Sequence, residues 1–123
     1  MKSRVYVDTS VLSALYDARQ PDRQFLTREF WERREQFELG SSRLCEDELR
    51  HATDEQLRNN VLQLLQELSL VDVSDEARLL AQSYVARGAF SSAMLNDATH
   101  VATAVLNRFE ILVSWNFRHL VNR

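Results

Sequence analysis

The stretch Val5-Tyr6-Val7-Asp8-Thr9-Ser10 decides the fold, because an apolar run typical of a buried strand ends in a carboxylate and leads directly into a helix start. In open α/β sheets, ligands bind in the crevice beyond the carboxyl ends of the strands. Asp8 therefore lies where such a fold binds its ligands. A plainer interpretation is that Asp8 only caps the following helix, a common role for Asp before an apolar periodic segment.

A second strand, near the other end of the chain, finishes in a similar way. Ile111-Leu112-Val113 runs into Ser114, Trp115 and Asn116. If both strands belong to one parallel sheet, Asp8 and Asn116 lie at the same edge of it. Asn116 can also be an ordinary turn residue, since Asn is common in turns.

Helices and strands alternate between these two ends. With only two glycines and one proline in the chain, long loops and hairpin meanders are disfavoured. The pattern predicts strands over residues 37–42 and 70–73, and helices over residues 23–37, 44–49, 61–68, 75–87 and 97–109. We therefore expect an α/β fold, with a small parallel sheet of about four strands flanked by helices on both faces.

Length and composition limit the classes of protein to which the chain can belong. The 123 residues fit a single domain, residues 1–123, that can bury a core without disulfides. No run approaches the roughly 18 apolar residues of a membrane span, and no apolar secretion signal follows Met1, so a cytoplasmic location is expected. A net charge of −3 argues against attachment to nucleic acid by bulk positive charge. Cys45 is the only cysteine, which excludes an internal disulfide and favours a small core residue over a catalytic thiol.

Two further carboxylates are expected at the edge where Asp8 lies. Asp97 begins the helix that leads into residues 111–113, and Glu48 begins the helical stretch after the strand over residues 37–42. Converging carboxylates raise each other's pKa unless a cation lies between them. A site built from oxygen ligands indicates Mg²⁺ or Mn²⁺.

Each of these residues also has a plainer explanation. Asp97 suits a helix N-terminus as a negative charge. Glu48 belongs to the acidic run Glu46-Asp47-Glu48, which is typical of a solvated face. His100, one turn beyond Asp97, is more commonly a satisfied helix-face histidine than a ligand. Only the combined topology favours a site.

Four ordered motifs resemble those of the PIN domain, particularly the VapC-like toxins of bacterial toxin–antitoxin pairs. They are the stretch over residues 5–12, Ser42 followed by Glu48-Leu49-Arg50, Asn96-Asp97-Ala98-Thr99-His100-Val101-Ala102, and Ile111-Leu112-Val113-Ser114-Trp115-Asn116-Phe117. The resemblance implies a metal-dependent ribonuclease, an RNA substrate and an antitoxin partner. It also implies that Asp8, Glu48 and Asp97 are the acidic ligands, with the hydroxyl of Thr9 or Ser10 matching a polar residue beside them.

The chain departs from that pattern in two places. The family often has a fourth acid where this chain has Asn116, so a second metal would be held more weakly or through water. The chain also ends at Arg123, where many relatives continue into a further strand.

The predicted function is therefore cleavage of RNA by a metal-dependent endonuclease, with Ser114 and Asn116 orienting a water or the scissile phosphate. Arg50 or Arg118 would contact the RNA backbone. A homodimer or an antitoxin could use large apolar side chains at Phe25, Phe30 and Trp31, although burial against the sheet is the commoner fate of such rings.

Two alternatives compete with this function. One is a PIN-fold protein without catalysis that serves as a binding or assembly module. The other is a phosphate-accepting receiver domain, which needs a lysine at a later strand end, whereas the only lysine here is Lys2.

Overall fold

The structure is a computed structural model, and it describes residues 1–116. The strands of this part of the chain are β1 (Arg4–Val7), β2 (Glu38–Ser42), β3 (Ser69–Val71) and β4 (Ile111–Val113). The α-helices are α1 (Thr9–Ala14), α2 (Pro21–Glu32), α3 (Leu44–Leu49), α4 (Glu55–Leu65), α5 (Asp75–Ala86) and α6 (Leu95–Leu106). Short 3₁₀ helices occur at Arg34–Gln36 and Ser92–Met94. No helix within these 116 residues is both long and apolar enough to cross a membrane.

The strands form one parallel sheet in the order β3-β2-β1-β4. In the central strand β1, Val5 pairs with Leu39 of β2 and with Ile111 of β4. The predicted α/β fold with a four-stranded parallel sheet is confirmed. Because parallel strands end on the same side, the residues that follow β1, β2 and β4 gather at one edge, as predicted for Asp8 and Asn116.

Side chains of β1 alternate between the two faces of the sheet. Val5 and Val7 belong to the larger hydrophobic cluster, which takes its other buried residues from α1, α3, α4 and the residues beside them. Tyr6 faces the other way, and its ring contacts His100 of α6 and Phe109 edge-on, at centroid distances of 5.7 and 5.4 Å. Helices therefore cover both faces, and a tyrosine hydroxyl is buried between the sheet and α6.

Some boundaries differ from the predicted ones for local reasons. Helix α2 begins at Pro21 rather than at residue 23, since proline fits the first turn of a helix, where no amide donor is needed. It ends at Glu32 because the following residues tighten into the 3₁₀ turn Arg34–Gln36 before β2. Strand β3 covers Ser69–Val71 because its partner β2 ends at Ser42, which lies opposite Val71.

Two smaller predictions agree with the structure. Gly88, just after α5, has a φ of +81°, the left-handed conformation in which helices commonly end. Cys45 is fully buried in the larger hydrophobic cluster. Burial raises the pKa of its thiol to about 11, so Cys45 is an inert core residue at neutral pH.

Candidate active site

Asp8 lies immediately beyond β1 and is the N-cap of α1. Its Oδ1 accepts hydrogen bonds from the Val11 amide at 3.3 Å and from the Ser10 hydroxyl at 2.6 Å. Its Oδ2 accepts a hydrogen bond from the Ser114 hydroxyl at 2.5 Å. Asp8 is 1% exposed. The capping interpretation is therefore correct, but the carboxylate also ties α1 to the end of β4.

The residues after β4 bind the start of α1 through backbone and side-chain groups. The Trp115 amide donates to the Ser10 hydroxyl at 2.9 Å, and the Asn116 amide donates to the Ser114 hydroxyl at 2.9 Å. The Asp8 amide donates to the Val113 carbonyl at 3.4 Å. Asn116 is exposed, so its amide side chain lies at the rim of this edge.

Glu48, on α3, forms hydrogen bonds with residues of two other helices. Its Oε1 accepts hydrogen bonds from Thr9 Oγ1 of α1 at 2.6 Å and from His100 Nε2 of α6 at 2.7 Å. Asn96 Nδ2, also on α6, lies 3.5 Å from Oε2. The Glu48 side chain is 24% exposed. Glu48 therefore belongs to a connected site and is not simply part of a solvated acidic face.

The environment of Glu48 favours its ionised form. Partial burial on its own raises the pKa of the carboxyl group, but the hydrogen bond from His100 lowers it, as do the hydrogen bonds from Thr9 and Asn96. The net result is a pKa below the usual value. Glu48 is thus a carboxylate at neutral pH, able to accept further hydrogen bonds or a cation.

Behind Glu48, a buried tyrosine extends the network. The Tyr6 hydroxyl lies 2.6 Å from His100 Nδ1 and 2.7 Å from Ser42 Oγ. Tyr6, His100 and Ser42 are each 1% exposed or less. The sequence did not identify Tyr6 as a site residue. The available signal was its position between two valines of an apolar strand, where a polar tip must find a partner on the opposite face.

Asp97 lies in the first turn of α6, between Asn96 and His100, both of which contact Glu48. It is partly buried. Within residues 1–116, no group of three or more His, Cys, Asp or Glu side chains is arranged to hold a metal ion. Asp8, Glu48 and Asp97 supply only oxygen donors, which suits Mg²⁺ or Mn²⁺ by chemistry. Metal binding by these three residues stays a prediction.

The two arginines predicted to contact RNA stay predictions, and a third cation lies at the end of β4. Arg50 is exposed and forms a salt bridge with Asp47 at 3.3 Å, whereas Arg118 lies outside the described residues. The Arg23 guanidinium of α2 stacks over the Trp115 ring, 4.9 Å from its centroid. Arg23 therefore places a cation beside the end of β4, a position that sequence proximity alone did not suggest.

The apolar side chains of α2 are divided between core and surface. Phe30 and Trp31 pack against the larger hydrophobic cluster and are partly buried. Phe25 is 62% exposed, and its neighbour Leu26 is 54% exposed. Of the three aromatic residues singled out from the sequence, only Phe25 is left mainly to solvent.

Comparison with known proteins identifies the family. Residues 5–119 match the sequence profile of the PIN domain. A comparison with curated protein sequences finds no match.

Solved structures with a similar fold include toxins of toxin–antitoxin pairs. A toxin–antitoxin complex from Klebsiella pneumoniae contains a chain that is 20% identical, with a TM-score of 0.69 over 96% of this chain and 91% of that one. VapC20 from Mycobacterium tuberculosis, described as a sarcin–ricin loop cleaving toxin, is 15% identical, with a TM-score of 0.70 over 95% and 93%. VapBC2 from Rickettsia felis, bound to a fragment of its promoter DNA, has a chain that is 13% identical, with a TM-score of 0.64 over 96% and 91%.

Proposed function

Because this chain belongs to the PIN domain family, we propose that it is an endoribonuclease that depends on Mg²⁺ or Mn²⁺. One observation carries the proposal. Glu48, ionised at neutral pH, is hydrogen-bonded to Thr9, the residue next to Asp8, and to His100, one turn from Asp97. A carboxylate from α3 is thereby tied to residues that neighbour the other two acidic positions in the chain, and this supports a shared site at the sheet edge where α/β folds bind ligands.

Asp8, Glu48 and Asp97 are the residues that would hold the cation. When bound, a divalent cation activates a water molecule and neutralises the charge that develops on the phosphate. Asp8 already receives hydrogen bonds on both oxygens, which fixes its orientation. Glu48 Oε1 already accepts hydrogen bonds from Thr9 and His100. Oε2 is therefore the oxygen that can better accept a further ligand.

Other side chains of the site position these carboxylates or meet the substrate. Ser114 donates to Asp8 and orients it, and Thr9 does the same for Glu48. The exposed amide of Asn116 can donate to a phosphate oxygen without adding negative charge to an acidic pocket. Arg23, stacked on Trp115, can contact the RNA backbone on the same side.

The experiment is cleavage of single-stranded RNA with Mg²⁺ or Mn²⁺ and with EDTA. Glu48→Gln and Asp97→Asn each remove one charge with little change in volume, and each should slow cleavage on the order of a hundredfold or more. Asp47→Asn is the matched control, because it removes the charge of an exposed neighbour on α3 and should keep activity within about threefold.

The outcomes separate the candidate functions. Equal cleavage in EDTA would contradict a metal-dependent mechanism. Binding of RNA without cleavage, in wild type and with metal present, would favour the alternative of a PIN-fold binding or assembly module.

An antitoxin is the partner that we propose, and a homodimer is a further proposal. Support comes from the toxin–antitoxin assemblies among the similar structures and from the apolar side chains of Phe25 and Leu26, which α2 exposes. The product of an adjacent reading frame should copurify with the chain and inhibit RNA cleavage. Phe25→Ser should weaken this association, whereas Glu29→Ser, at another exposed position of α2, should not. Light scattering of the isolated chain would test the homodimer.

A further inference from the structure

We propose that His100 is a positioning residue for Glu48, that the Tyr6 hydroxyl holds it in the tautomer with hydrogen on Nε2, and that Glu48 Oε2 is thereby left as the oxygen that would bind a cation. The inference rests on the proposed function, because it treats Glu48 as a metal ligand. His100 itself would touch neither the metal nor the RNA.

The contact between His100 and Glu48 defines which ring nitrogen carries hydrogen. His100 Nε2 lies 2.7 Å from Glu48 Oε1. An ionised carboxylate only accepts hydrogen bonds, so Nε2 must be the donor. The opposite tautomer would place a nitrogen lone pair against a carboxylate oxygen, which is repulsive. Glu48 therefore requires the Nε2–H form of His100.

The contact with Tyr6 favours the same tautomer from the other side of the ring. The Tyr6 hydroxyl lies 2.6 Å from His100 Nδ1 and 2.7 Å from Ser42 Oγ. A tyrosine hydroxyl can accept one hydrogen bond and donate another. Ser42 then donates to Tyr6, Tyr6 donates to Nδ1, and Nε2 donates to Glu48. All three hydrogen bonds of this chain therefore have the same donor-to-acceptor direction. In metal sites, hydrogen bonds from residues behind a ligand fix the orientation of that ligand.

The same contacts make the two oxygens of Glu48 unequal. Oε1 receives two short hydrogen bonds, at 2.6 Å from Thr9 and 2.7 Å from His100. Oε2 receives, among the described residues, only the contact from Asn96 at 3.5 Å. Two donors on one oxygen fix the rotation of the carboxylate, and most of the acceptor capacity of Oε2 stays unused. The network thus prepares Glu48 to bind a cation through Oε2.

Two substitutions of His100 test the proposal, because each replaces one nitrogen of the ring. In His100→Gln, the amide nitrogen can take the place of Nε2 and still donate to Glu48. In His100→Asn, the shorter side chain reaches only the position of Nδ1. The readout is the Mn²⁺ dissociation constant from calorimetry. We expect His100→Asn to weaken binding by about tenfold to a hundredfold, and His100→Gln by less than about threefold. His51→Asn, at an exposed histidine, is the control.

A second measurement concerns the metal-free protein. Nitrogen NMR shifts of the His100 ring should show hydrogen on Nε2 in wild type, and Tyr6→Phe, which keeps the ring packing, should weaken that preference. Thermal denaturation of each variant shows whether a change in affinity comes from partial unfolding.

The outcomes are distinct. A hydrogen on Nδ1 would overturn the proposal, and so would equal Mn²⁺ affinities for the Asn and Gln variants. If wild type binds no Mn²⁺, the proposed metal-dependent function fails and this inference with it, whereas tight wild-type binding with no difference between the two variants removes only the role of His100.

Discussion

Asp8 and Glu48 are two of the three candidate metal ligands, and they are held in different ways. Asp8 is 1% exposed, and of its three hydrogen-bond donors two, the Ser10 hydroxyl and the Val11 amide, come from the helix that it caps. Glu48 is 24% exposed and receives its short hydrogen bonds from Thr9 and His100, which belong to other helices.

This difference separates a local arrangement from a long-range one. The cap at Asp8 forms whenever α1 forms, because its donors follow within three residues. The orientation of Glu48 depends on contacts across 39 and 52 positions of the chain, so α1 and α6 must both be in place before it is set. Asp8 should therefore matter most for stability, and Glu48 mostly for what the site can bind.

The largest expected effect is the loss of protein stability when Asp8 is substituted. Asp8→Ala removes an N-cap and leaves the Ser10 and Ser114 hydroxyls without their acceptor, so it should lower the free energy of unfolding by about 2–4 kcal/mol. In Asp8→Asn, Oδ1 can still accept from Val11 and Ser10, while the amide can donate to a rotated Ser114 hydroxyl, so the loss should be clearly smaller. Urea denaturation of both variants measures this. Equal losses would show that the charge of Asp8, and not its shape, stabilises the fold.

The sequence predicted what depends on neighbouring residues. Asp8 before Thr9, Ser10 and Val11 is a recognisable helix start, and Gly88 after an amphipathic helix is a recognisable end. Alternation of helices and strands then fixed the parallel sheet, and with it the common edge of Asp8 and Asn116.

The sequence could not predict which polar groups meet across the sheet. Tyr6 and His100 are 94 positions apart, and nothing in either segment specifies the other as its partner. Their contact depends on how far α6 slides along the sheet and on the direction in which β1 points its middle residue. From the sequence, His100 was therefore predicted to be a satisfied helix-face histidine rather than a ligand. It is satisfied, but one of its two partners is the candidate ligand Glu48.

A second comparison removes, for each carboxylate, one hydroxyl group that donates a hydrogen bond to it. Ser114→Ala deletes one of the three donors to the buried Asp8 and should cost about 1.5–3 kcal/mol, as for hydrogen bonds to charged groups. Thr9→Val deletes a donor to Glu48, which water can partly replace because that side chain is partly exposed, so the cost should be about 1 kcal/mol or less. Urea denaturation in EDTA gives both values. A larger loss for Thr9→Val would reverse the assignment of Asp8 as the more structural carboxylate.

The pH dependence of stability gives a test specific to Glu48. Its pKa in the folded protein lies below the ordinary value of 4.5, so the stabilisation that it provides is present above that pH and is lost as the pH falls through the lower folded value. Glu48→Gln cannot titrate. In EDTA, the difference in unfolding free energy between wild type and Glu48→Gln should therefore shrink as the pH falls below 4.5. A difference that grows on acidification would mean that the folded pKa is raised.

The smallest expected effect is at Asn116, where an exposed side chain sits at the rim of the edge that contains Asp8. The Asn116 backbone amide donates to Ser114, which in turn donates to Asp8, so the residue is fixed close to the buried carboxylate while its side chain stays in solvent. Asn116→Asp adds a negative charge that water and salt screen, which limits the gain in cation binding to about 1 kcal/mol, or roughly fivefold in the Mn²⁺ dissociation constant. Asn116→Ser is the neutral control, and the gain should fall as salt rises from 0.1 to 0.5 M because the Debye length shortens from about 10 Å. Calorimetric titration of the three forms decides the point: a gain that resists salt, or a second tight ion in the Asp variant, would place residue 116 inside the metal site, and no gain at all would make Asn116 a turn residue only.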